Sequence, residues 1–200
     1  MHAVGILVFD QVEVLDFAGP YEVFTTAARV HNRLNPDEPK LFDVFTVGVS
    51  LDAIQARAGL RVLPDHDFNI HPVIDVLIVP GGVVIEQLNN THVIDWIKST
   101  ATQCSLVASV CTGAFLLAKA DLLDNKQATT HWEDQNDLRQ QFPAITVESD
   151  VRWIDTGYVI TSAGISAGID MCLHIVERMM GRALAEAAAR QMEYRWTRYP

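Results

Sequence analysis

LVASVCTGAFLLAKA, residues 106–120, changes character at a single cysteine. Before it, Leu106 to Val110 is small and apolar without alternation, as a strand buried on both faces reads. After it, Thr112 to Ala120 is built of strong helix formers. Cys111 therefore falls on a strand-to-helix turn. Ser109 before it and Gly113 after it are small, as a sharp nucleophile turn requires, because bulkier side chains collide when the backbone is forced tight.

The same kind of apolar run recurs at Val4 to Phe9, Phe42 to Val49 and Val73 to Val79, and Ser105 opens the run that ends at Val110. Between these runs lie residues with helical spacing: Tyr21, Phe24, Ala27 and Ala28, then Val93, Trp96 and Ile97, then Ile169, Cys172, Leu173, Val176 and Met180. Pro20 is placed for the first turn of its helix, and Ser166 to cap the third. A last helix is expected from Ala183 to Trp196, with no module after it. Ile54 to Asp67 and Ile145 to Thr161 read as hairpins, the second turning at Asp155-Thr156-Gly157. Strands alternating with helices predict an α/β fold in which a mostly parallel central sheet is covered by helices on both faces. Its reactive loops then lie at the carboxyl ends of the strands. A length of 200 residues predicts one domain over 1–200.

Nearly half of the chain is apolar and a fifth is charged, an ordinary balance for a soluble globular protein. The formal net charge of −10, with no cluster of Lys or Arg, argues against direct nucleic-acid binding and against anionic membrane surfaces. No apolar stretch is long enough to span a bilayer. Met1 to Asp10 has no basic lead or cleavage site and reads as a first strand rather than a signal peptide. The three cysteines, Cys104, Cys111 and Cys172, form an odd set without metal-ligand spacing, which fits the reducing cytoplasm and calls for no metal or cofactor.

Several residues offer chemistry around that turn. The helix after Cys111 points free N–H groups and its positive dipole end at the sulfur, which favours a thiolate nucleophile. A cysteine ending a buried strand also serves as a small core residue, but the elbow pattern favours the nucleophile. Cys104 and Cys172 lack that setting and read as packing residues. Val79-Pro80-Gly81-Gly82 follows an apolar strand, and an N–H of this loop can join that of Thr112 as an oxyanion hole, with Gly82 in a supporting role; a plain tight turn is the competing account. Asp16, in Leu15-Asp16-Phe17-Ala18-Gly19-Pro20, sits among apolar neighbours, where a carboxyl acquires a raised pKa and acts as an acid, or else caps a helix. His131, in Ala128-Thr129-Thr130-His131-Trp132, closes a short strand within reach of the thiol and is given a supporting place below Asp16.

Taken together, Leu15-Asp16-Phe17-Ala18-Gly19-Pro20, Pro80-Gly81-Gly82, Ser109-Val110-Cys111-Thr112-Gly113, Ala128-Thr129-Thr130-His131-Trp132 and Ser166-Ala167-Gly168-Ile169-Asp170 resemble the ThiJ/PfpI superfamily of class I glutamine amidotransferase-like domains. The resemblance covers nearly the whole chain. It implies a flavodoxin-like sandwich, a nucleophile at Cys111, an acidic partner at Asp16 and a homodimer. Protease- and deglycase-like members usually place a histidine directly after the cysteine and use a glutamate as the acid. Thr112 and Asp16 stand at those positions here, and both match the isocyanide hydratase-like branch. The expected activity is hydration of a small-molecule isocyanide to an N-substituted formamide through a thioimidate on Cys111, with Asp16 as acid and Thr112 orienting the sulfur or the developing charge. Two alternatives remain: a small-molecule or redox-sensing domain related to those of transcription regulators, and a glyoxalase- or deglycase-type hydrolase.

Overall fold

The computed structural model describes residues 1–199. β1 (His2–Leu7) leads through a loop into α1 (Val14–Leu34) and β2 (Phe42–Gly48). Three short strands follow, β3 (Ile54–Gln55), β4 (Arg61–Val62) and β5 (His66–Asp67), then β6 (Val76–Val79), α2 (Ile85–Asn89), α3 (Thr91–Ala101), β7 (Leu106–Val110) and α4 (Gly113–Lys119). An excursion of β8 (Gln127–Ala128), α5 (Gln135–Gln141) and β9 (Thr146–Val147) precedes β10 (Trp153–Asp155), β11 (Val159–Ser162), α6 (Ala167–Met180) and α7 (Arg182–Gln191).

Seven strands form the central sheet in the order β10-β11-β7-β6-β1-β2-β5. Every neighbouring pair is parallel except β10 with β11. Helices α1, α6 and α7 pack together on one face, and α2, α3 and α4 cover the other. That two-sided cover explains the unalternating strands: all of Val76–Val79 and of Leu106–Val110 is buried. On the α1 face, Phe24 and Phe42 are both fully buried and meet edge to face with ring centroids 5.2 Å apart, each burial worth about 1.5–3 kcal/mol. The expected α/β architecture, a flavodoxin-like sandwich, is the one found.

Several boundaries differ from the expectations. Helix α1 begins at Val14, so Pro20 lies inside it and not in its first turn. Proline has no N–H, which leaves the backbone carbonyl of Asp16 without its helical partner. The run expected as a strand from Val73 pairs only from Val76, with Val73 exposed. In the segment Ile54 to Asp67 only β3 and β4 make a hairpin, while β5 joins the edge of the main sheet beside β2. The second hairpin is confined to β10 and β11, because β9 pairs in parallel with β8. Ser166 stands at the N-cap position of α6 without capping it; its hydroxyl accepts a 3.5 Å bond from Arg152. The last helix stops at Gln191, where the expectation ran to Trp196. Trp196 instead docks against α6, its indole N–H donating to the carbonyl of Asp170 at 3.3 Å.

Candidate active site

The parallel strands deliver their loops to one edge, and those loops are tied to one another. The segments after β1 and β6 are zipped by Glu13 N–H donating to the Gly81 carbonyl (2.9 Å) and Val83 N–H donating to the Gln11 carbonyl (3.0 Å). This places the first turn of α1 beside Pro80-Gly81-Gly82. The side chain of Asp16, fully buried in that turn, accepts the N–H of Gly81 on Oδ2 at 3.1 Å.

Cys111 occupies the turn between β7 and α4 with φ of 56°, a left-handed conformation costly for a residue with a side chain and typical of a nucleophile elbow. Its N–H donates to the carbonyl of Ser162 at 3.2 Å, and its carbonyl accepts the hydroxyl of Thr130 at 2.8 Å, so the strained unit is held from both sides. The small residues that frame it act sterically, as expected. A Cβ on Gly113 would strike the carbonyl of Val79 and the backbone of Pro80. Ser109 is fully buried and its hydroxyl lacks a partner, so that position uses the residue's size and not its polarity.

Thiol and carboxyl meet. The Cys111 side chain acts directly on the carboxyl of Asp16, whose Oδ1 is buried without a hydrogen-bond partner. Burial raises the Asp16 pKa to about 7; the Gly81 N–H pulls it back, and the charge of Glu13 adds to the rise. The thiol departs from expectation. Burial, reinforced by the charge of Asp16, pushes Cys111 up to about 12 despite the amides of Thr112 and Ile165 that pull the other way. Cys111 is only 6% exposed, and the seven-residue helix behind it does not offset that desolvation. Cys111 rests as a neutral thiol beside a carboxyl that titrates near neutrality. Cys104 and Cys172 are buried, unbonded to any other cysteine, and raised by burial as packing residues are.

Two further expectations change. The hydroxyl of Thr112 does not orient the sulfur: it donates to the carbonyl of Gly82 and accepts the N–H of Gly82, both at 2.9 Å. The amides of Gly81 and Gly82 are therefore both engaged, by Asp16 and by Thr112, and neither is free for an oxyanion hole. Gly82 supports the site differently. With φ of 131°, it lets the backbone pass against Gln11 and Glu13, where a Cβ would collide. The amides directed at sulfur are those of Thr112 and of Ile165, a residue absent from the sequence reading. Ile165 has φ of 48°, an outlier for a β-branched residue; the small residues around it in Ala163-Gly164-Ile165-Ser166-Ala167-Gly168 were the only hint of a tight turn.

The thiol opens onto a cavity of about 440 Å³ that also takes in Phe115, Ile165 and His131. His131 is a wall residue. Its ring accepts the N–H of Glu133 on Nδ1 at 3.4 Å and lies 3.4 Å from Oδ2 of Asp134, packed so closely on Gly164 that a Cβ there would strike it. Its hydrogen bonds run to this acidic turn and not to Cys111. No group of three or more potential metal ligands occurs among the described residues, and no helix among them is long and apolar enough to cross a membrane.

Comparison with known proteins places these features. The model of the DJ-1/PfpI family matches residues 2–178. The isonitrile hydratase of Pseudomonas putida is 36% identical over 96% of this chain and 78% of its own. The transcriptional regulator GbdR of Pseudomonas aeruginosa is 29% identical over 96% of this chain, which spans half of the regulator's length. Among solved structures, a ThiJ/PfpI family protein from Pseudomonas syringae superposes with a TM-score of 0.84 at 27% identity, over 96% of this chain and 75% of that one. Drosophila melanogaster DJ-1beta shares the fold, with a TM-score of 0.79 at 19% identity over 98% of this chain and 99% of that one. With the family's model spanning β1 through α6 and a relative more than a third identical along almost the whole length, the chain belongs to the DJ-1/PfpI family.

Proposed function

We propose that the protein hydrates isocyanides, R–NC, to N-substituted formamides, R–NH–CHO, using Cys111 and Asp16. The observation that carries this reading is the pairing of a strained, cavity-facing thiol with a buried carboxyl whose pKa is about 7. The 36% identity to an isonitrile hydratase supports the same choice. Isocyanide hydration needs a soft nucleophile for the terminal carbon and an acid that protonates that same carbon. Because the resting thiol is neutral, the sulfur attacks as its proton passes to Asp16, and Asp16 delivers a proton to the carbon. The result is a thioimidate, R–N=CH–S–Cys111. Water then adds to its carbon as Asp16 takes one of its protons and passes it to the nitrogen, and collapse of the tetrahedral adduct transfers the remaining hydroxyl proton to the departing Cys111 sulfur and leaves the formamide. The amides of Thr112 and Ile165 hold the sulfur while charge builds on it, and the Thr112 hydroxyl keeps the Gly82 loop closed against the elbow. Purified protein incubated with a simple aliphatic isocyanide and followed by NMR is expected to yield formamide. Turnover no faster than that of Cys111→Ala ends this reading.

A second reading has its own support. The transcriptional regulator GbdR matches nearly all of this chain with half of its length, which supports a domain that binds a small molecule without turning it over. A large thermal shift with one metabolite and no turnover of isocyanide would favour it. The proposal also includes a single domain over 1–200, a homodimer, and residence in the cytoplasm. Light scattering that returns a single species of 22.2 kDa would remove the dimer.

A further inference from the structure

The cavity in front of Cys111 is strongly asymmetric in charge. Four of its lining residues are acidic, Glu13, Glu133, Asp134 and Asp137, against one guanidinium, Arg57. That guanidinium is already committed, 3.1 Å from Oε2 of Glu13. His131 faces Glu133 and Asp134 at 3.7 and 3.4 Å and so lies against the same acidic turn. Much of the remaining wall, including Ile85, Leu88 and Phe115, is apolar. At the buried end, Asp16 lies against Cys111 with no solvent exposure, and its Oδ1 lacks a well-aligned partner. A ligand that reaches the sulfur passes a rim of carboxylates and meets a further carboxyl behind the thiol.

A cleft lined by one sign of charge within low-dielectric walls focuses its field and concentrates ions of the opposite sign. Resting on the reading of Cys111 as the pocket's nucleophile, we infer that the cavity selects neutral and cationic isocyanides and turns away those bearing a carboxylate or another anion. The apolar wall accepts the substituent's hydrocarbon, and the rim of Glu133, Asp134 and Asp137 sets the charge rule. These three are specificity residues and take no part in the bond changes.

The rule can be read without turnover, through the rate at which small thiosulfonates modify Cys111. Three methanethiosulfonates of similar size would be compared, carrying a 2-trimethylammonioethyl, a 2-hydroxyethyl or a 2-sulfonatoethyl group. Each transfers its thioalkyl group to the Cys111 sulfur as a mixed disulfide and releases methanesulfinate. Each rate, followed by peptide mass and divided by that of free 2-mercaptoethanol, reports the field at the sulfur. The expected order is cation, neutral, anion, with the cation at least about tenfold faster than the anion at low salt. The spread should shrink as salt rises from about 0.01 to about 1 M, because the screening length falls from about 30 to about 3 Å. It should also shrink in the double variant Asp134→Asn, Asp137→Asn. Equal or faster labelling by the sulfonate in the wild type overturns the inference. So does a spread unaffected by the double variant, or failure of all three reagents to reach Cys111. A hydration assay with a neutral and a carboxylate-bearing isocyanide separates the two claims. No hydration with the labelling order intact removes the hydratase reading and leaves the charge rule standing. Equal kcat/KM for both substrates does the reverse.

Discussion

Asp16→Asn is expected to stabilise the fold near pH 8 while slowing turnover. The carboxyl has a pKa of about 7 in the folded chain against an ordinary value of 3.8, and burial is the main cause. Below pH 3.8 both folded and unfolded chains carry the proton and nothing is lost. Between 3.8 and about 7 the unfolded chain ionises while the folded one keeps its proton, so stability falls as pH rises. Above about 7 the loss is complete. At 1.36 kcal/mol for each pH unit, the interval from 3.8 to about 7 amounts to about 4 kcal/mol. Asparagine has nearly the same shape, stays neutral, and can still accept the Gly81 N–H on its amide oxygen. Its advantage over the wild type should therefore be near zero at pH 4 and approach about 4 kcal/mol at pH 8, equivalent to a Tm gain of about 8–16 °C. Loss of a positioned acid–base group should meanwhile slow formamide formation by about 10² to 10⁴-fold. Urea unfolding of both proteins followed by tryptophan fluorescence from pH 4 to 8, beside NMR of the product, tests both halves. A stability difference that stays flat across that range would refute the raised pKa, and with it the role of Asp16 as a carboxyl poised at neutral pH.

Other consequences are equally open to measurement. Thr112→Val removes two bonds to Gly82 and leaves its N–H unpaired, so we expect about 1–3 kcal/mol of destabilisation in denaturant melts, with slower turnover as the Gly82 loop loosens. Gly113→Ala forces a Cβ against the backbone of Val79 and Pro80, which cannot move aside as a side chain can; a loss of about 1–3 kcal/mol is expected, and an unchanged Tm would contradict the steric account of the elbow. His131→Ala should leave turnover within a few-fold of wild type, because its hydrogen bonds run to the acidic turn and not to the thiol. Loss of turnover in that variant, with Asp16→Asn still active, would reverse the assignment of the acid.

What the sequence determined by itself is whatever neighbours along the chain decide. The runs Val73 to Val79 and Ser105 to Val110 read as doubly buried strands, and the strands found within them, Val76–Val79 and Leu106–Val110, are wholly buried because a parallel strand under helices has no polar face to display. Cys111 read as an elbow because the change from strand to helix, and the small residues around it, fall within a few positions. Pro20 suggests a helix terminus, yet α1 begins at Val14, because burial of Phe17, Val23 and Phe24 outweighs one missing hydrogen bond. The character of the site was decided elsewhere. Whether Cys111 is thiol or thiolate depends on burial and on Asp16, 95 positions away; the hydroxyl of Thr112 finds its partner in Gly82, and the second amide aimed at sulfur comes from Ile165 beyond β11. The acidic rim joins Glu13 to Glu133, Asp134 and Asp137. Desolvation, field and hydrogen-bond partners are sums over groups brought close by folding, so local pattern can nominate a nucleophile, but only the assembled structure assigns its protonation state and its surroundings.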